Sequence, residues 1–229
     1  MDRRSFLGVC GLSTLTASAG CLGGTAHPLP PVEGTIRARR VLASDGESYR
    51  PLLWTNAKRV RVEDARIEQL LAERDSANRT VPSAVHERLA SDYADLQYQV
   101  RLRQRTETHL TGVDSGDLVD YNTGRQSFNR VLVGDDVGFQ VGVTNRPSIQ
   151  SFGRIRRAGR VDKMEKTQTD GETRYRLVLA HRVLDDGPRQ RTYLTTEQMA
   201  NSVEQGRRYR FEVGGDFGER VIAIETRLS

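Results

Sequence analysis

The residues best placed to do chemistry are arginines near the C-terminus. Arg174, Arg176, Arg189, Arg191, Arg208 and Arg210 fall mostly on outward positions of alternating runs, with Tyr175 and Tyr193 among them. Guanidinium is a planar fork that matches carboxylate or phosphate, and tyrosine offers a stacking face. Such a set is a candidate anion or oligomer surface. The competing reading is a solubilising surface of alternating charge with cross-strand Arg–Glu pairs. Arginine outnumbers lysine 32 to 3 along the whole chain, yet 35 cations face 30 acids, so the net charge is only +5. Binding driven by phosphate contacts alone fades as salt rises.

Other chemistries find less support. His27, His86, His109 and His181 are scattered, with no i, i+4 pair to begin a zinc site, and they read as isolated surface histidines. Asp114, Asp117 and Asp120 could meet a hard cation, but the loop lacks the acid alternation and distal Glu of a calcium loop, so no metal is expected. Gly-x-Ser-x-Gly and Ser-x-x-Lys are absent. The glycines at 214, 215 and 218 lack the lysine of a phosphate loop and read as a hairpin turn. Asn78-Arg79-Thr80 is a glycosylation sequon. No cofactor is expected, and the chain reads as a binding or structural protein rather than an enzyme.

These side chains need a frame, and the patterning predicts a mainly β one with short helices. Thr173–Val183 alternates, with Tyr175, Leu177 and Leu179 inward. Gln190–Leu194 predicts a short strand, and Thr195 with Gln198 fits a helix capping box. Tyr209, Phe211 and Val213 alternate in the next strand, and Ile222, Ile224 and Leu228 share a face in the last. This β-β-β-α-β-β order resembles the OB-fold, a five-stranded barrel with a helix between its third and fourth strands. That resemblance implies ligand binding on the face of the second and third strands.

An earlier stretch repeats the opening of this unit. Gly34 precedes Asp45-Gly46-Glu47 as Gly159 precedes Asp170-Gly171-Glu172, and Asp-Gly between β-like runs marks a hairpin. Val85, Leu89 and Tyr93 predict a helix after Pro82, followed by an alternating strand with Leu96, Tyr98, Val100 and Leu102 inward. The expected fold is therefore two small OB-like five-stranded barrels in tandem. The expected divisions are a signal at 1–20, a lipidated tether at 21–33, a first barrel at 34–112 with 145 as its alternative end, a Gly- and Asp-rich linker or extra strands at 113–153, and a second barrel at 154–229.

The N-terminus carries an address. Arg3-Arg4-Ser5-Phe6-Leu7 opens a short apolar run that ends at Ala19-Gly20-Cys21. A basic start, a short apolar middle and small residues before a cut describe an export signal. The first five of these residues resemble the twin-arginine (Tat) signal, and the last three resemble a lipobox. Together, residues 1–24 resemble the Tat-exported lipoproteins common in halophilic archaea. The resemblance implies lipid on Cys21 and residence on the outer face of the cell membrane. Cys10 would leave with the signal, so no disulfide or thiol chemistry is expected. Pro28, Pro30 and Pro31 make a stiff tether. The expected partners are the membrane, through that lipid, and a surface protein or glycan. An alternative is a nucleic-acid- or oligosaccharide-binding module using the Arg/Tyr face, although nucleic acid is disfavoured at high salt.

Overall fold

The computed structural model describes residues 31–58, 60–63, 80–106, 112–142, 147–169, 171–184, 187–215 and 218–229. Arg3, Arg4, Cys21, His27, Asn78 and His109 lie outside the described residues. The chain is mainly β, and its described residues form eleven strands in one sheet and three short helices. The strands are β1 (Val32–Ser44), β2 (Tyr49–Asn56), β3 (Val60–Val62), β4 (Asp95–Gln104), β5 (Leu118–Thr123), β6 (Asp136–Gly142), β7 (Ser148–Thr169), β8 (Glu172–Leu184), β9 (Gly187–Thr195), β10 (Arg208–Gly214) and β11 (Arg220–Leu228). The helices are α1 (Ser83–Asp92), α2 (Arg125–Arg130) and α3 (Glu197–Asn201). Among the described residues no helix is long and apolar enough to cross a membrane.

Period-two alternation places the core. Tyr98, Val100 and Leu102 of β4, Val137, Phe139 and Val141 of β6, and Tyr209, Phe211 and Val213 of β10 are all buried. Aromatic rings tie neighbouring strands: Tyr121 of β5 meets Phe139 edge-on at 5.0 Å, and Phe139 meets Phe152 of β7 at 5.9 Å.

The 22-residue β7 organises the sheet. At ~3.3 Å per residue it spans roughly 70 Å. Its first part pairs antiparallel with β6 and, at Asn122↔Ser148 and Thr123↔Ile149, parallel with β5. Its second part pairs antiparallel with β8 and β10. Arg156 is the hand-over, facing Asp136 of β6 in one ladder and Glu212 of β10 in another. β9 and β11 meet in a parallel bridge at Arg220↔Leu194. β1 pairs antiparallel with β2, β4 and β6.

Three expectations need correction. The region 113–153, expected as a linker or extra strands, carries β5, α2, β6 and the start of β7, so the expected division at 153/154 falls inside β7. Its glycines and acids dilute the apolar content, but Val137, Phe139 and Val141 keep the alternation. The α3 cap is Thr196, whose side chain accepts the Met199 N–H at 3.4 Å, one residue later than expected. In β11 Val221 is buried and Ile222 is 48% exposed, while Ile224 packs partly buried against the core. The β10–β11 ladder shifts register twice, and one residue of slip turns a strand's faces over.

Candidate functional site

Two places concentrate polar chemistry. The first is buried where the two parts of β7 meet. Arg157 lies between Ile155 and Gly159 on the inward face of β7 and is almost fully buried. Its Nε and Nη2 donate to the Asp135 carboxylate at 2.8 and 2.6 Å. Nη1 donates to Tyr193 Oη at 2.9 Å and to the Gly218 carbonyl at 3.3 Å, and Nη2 also donates to the Arg130 carbonyl at 2.9 Å. These contacts gather the α2–β6 segment, β9 and the β10–β11 turn around one side chain. Burial opposes the charge on Arg157, but the Asp135 carboxylate and Tyr193 together outweigh it and hold the guanidinium more firmly protonated than usual.

His181 extends the network. Its Nδ1 lies 2.7 Å from the Ala158 carbonyl and its Nε2 lies 2.9 Å from Tyr193 Oη. A carbonyl only accepts, so Nδ1 carries the proton and Nε2 accepts from Tyr193. Burial first, and then the positive Arg157, push the imidazole pKa down to about 4. Arg39 of β1 sits on the other side, its guanidinium 4.1 Å from the Phe128 ring centre and its Nη2 donating to the Phe128 carbonyl at 2.9 Å. Every contact here is internal, and the cavity beside it holds only about 120 Å³. The network is built to lock strands together.

The second place is a cleft of about 310 Å³ at the joining of β8, β9, β11 and α3. Leu194, Met199, Val221 and Ile222 contribute its apolar lining, and Arg174 and Arg220 its cations. Glu172 also lines it and pairs with Arg174. Nearby, Tyr175 Oη donates to Glu197 at 2.9 Å, and that bond raises the phenol pKa.

The expected Arg/Tyr surface does not assemble as one face. Tyr193 is fully buried and faces the first network, because its position in β9 is an inward one. Arg191 is half-buried, 5.6 Å from the Tyr193 ring centre. Arg208 and Arg210 are exposed and lie beside Arg160 and Ala158 of β7. Arg174 and Arg176 lie beside Thr167 and Glu165, further along the same strand. The Arg189 side chain lies outside the described residues. Cross-strand Arg–Glu pairs do form, but elsewhere: Arg154 with Glu212 at 2.9 Å and Arg156 with Glu225 at 2.8 Å.

His181 is corrected from a surface to a core histidine, and His86 meets Tyr98 Oη at 2.8 Å. The acidic loop does not converge on one point. Asp120 accepts from Arg101 at 2.8 and 2.6 Å and pairs with Arg40 at 3.3 Å, while Asp117 accepts the Asp114 N–H at 2.9 Å. Among the described residues no three His, Cys, Asp or Glu side chains gather as a metal site. The buried Arg157–Asp135–His181 network was missed by sequence reasoning. Its signal was present: Arg39 and Arg157 occupy inward positions of otherwise apolar alternation. No protein-family model, curated protein or solved structure matches the chain.

Proposed function

We propose that this chain is an extracytoplasmic ligand-binding module, exported by the Tat route, anchored by lipid on Cys21 and built from two OB-type barrels that share β7. One observation carries the module reading. The pairings β1–β4–β5–β7–β6 return to β1, and the pairings β7–β8–β9–β11–β10 return to β7. Each circuit runs in the chain order first, second, third, fifth, fourth. Each has one parallel pair, between its third and fifth strands, and a short helix after its third strand. β2, β3 and α1 form an insertion in the first circuit. The same arrangement used twice, on a buried lock that keeps it rigid, suits holding a ligand on a preformed surface.

The cleft is lined by β8 and β9, the second and third strands of the second circuit, together with β11 and α3, and OB-type modules bind ligands on the face of their second and third strands. A nucleic-acid reading is weaker, since it needs Tyr193 on the surface. Fold analogy does not fix function, so the anchor is tested first. Intact mass and detergent partitioning of the native protein are compared with those of Cys21→Ser. The native form should start at Cys21, carry added lipid mass and enter the detergent phase, and the variant should stay aqueous. An unmodified, water-soluble native form overturns the anchored reading.

A further inference from the structure

We propose that the cleft between β9, β11 and α3 takes a small amphiphile with a singly negative head, a carboxylate or phosphodiester, on an aliphatic body. This rests on the reading of the chain as a binding module and names the ligand chemistry of its site. Size argues for one small molecule, since about 310 Å³ is near the lower end, roughly 300 Å³, of ligand pockets.

The lining then selects the two ends. Ile222 is one of only three large hydrophobic residues exposed among the described residues, and it is the one inside a concave site. With Leu194 and the adaptable thioether of Met199 it offers apolar surface that an aliphatic chain would cover. No aromatic ring is among the described lining residues, so they offer no aromatic platform for a base or a sugar ring.

At the polar end, Arg174 is already held by Glu172. Arg220 is 63% exposed, and its contact with Glu219 is 3.7 Å long, beyond hydrogen-bond range. Its guanidinium fork is thus placed to meet an anion from the cleft. The Glu172 carboxylate in the same lining would repel a second negative charge, which favours a monoanion.

The test uses the soluble Cys21→Ser protein labelled with ¹³C-methyl methionine. The chain has three methionines, so the Met199 signal is assigned by its loss in Met199→Leu, and Met164 reports on the rest of the fold. Octanoate, a short-chain phosphatidylglycerol and neutral octanol are titrated in turn. The two anions should shift Met199 and leave Met164 in place, with octanol at least tenfold weaker. Octanoate alone would mark a free acid as the source, and phosphatidylglycerol alone a lipid headgroup. Arg220→Gln should weaken the anions about tenfold and leave octanol unchanged, and Arg220→Lys should restore part of the loss. Equal binding of octanol and the anions overturns the proposal, as does a Met199 signal that no probe moves. Neither result touches the anchored reading, which the Cys21 partitioning decides separately.

Discussion

At the scale of single residues, Arg157 and His181 carry opposite lessons about buried charge. Arg157 keeps its charge because Asp135 and three oxygen acceptors surround it. Removing one partner would leave Asp135 as an uncompensated buried carboxylate. Arg157→Ala should therefore cost about 3–5 kcal/mol in urea unfolding, and pairing it with Asp135→Asn should recover a large part of that. His181 stays neutral, with its folded pKa lowered from 6.5 to about 4. Its contribution is fully present above pH 6.5 and is lost as pH falls toward 4, because the unfolded state takes up the proton first. The loss is on the order of 3 kcal/mol. Thermal unfolding from pH 7 to pH 4 should show that component in the native protein and not in His181→Gln. An identical pH profile for the two would remove His181 from the account.

At the scale of elements, the repeated glycines explain themselves by contact. A Cβ on Gly34 of β1 would stand 2.7 Å from the Arg103 carbonyl of β4, and one on Gly159 of β7 would stand 2.9 Å from the His181 ring of β8. Each lets a neighbouring strand come close. Gly34→Ala and Gly159→Ala should each destabilise by roughly 1–3 kcal/mol, since overpacking moves backbone or ring. Calorimetry measures both. Gly159→Ala should also blunt the acid sensitivity assigned to His181. Helix ends matter less: Thr196→Ala should cost about 1 kcal/mol by removing the α3 cap, read as a small fall in the denaturant midpoint.

At the scale of the whole molecule, β7 makes two patterned halves into one sheet. Its residues pair with four strands, and Arg157 ties both parts. Unfolding should then be a single transition. The chain has one tryptophan, Trp54 in β2, which reports on the first half, while the Met199 methyl reports on the second. Their denaturant midpoints should coincide. Separate midpoints would mean that the halves fold as independent units despite the shared strand.

Local structure was legible in the chain: the strand alternation, the Asp-Gly turn at the end of β1, the α1 periodicity and the β character of the C-terminal part. Those signals depend on side-chain period and backbone preference within a few residues, so a short window contains them. The tertiary structure decided what depends on distant partners. It turned Tyr193 inward and made His181 a core residue. It gave Arg39 and Arg157 buried places where composition alone would put arginine outside. It carried β7 through the expected division, and it put Ile222 and Arg220 into one cleft. In each case the deciding energy is the pairing or desolvation of a group by residues tens of positions away, which spacing along the chain does not encode.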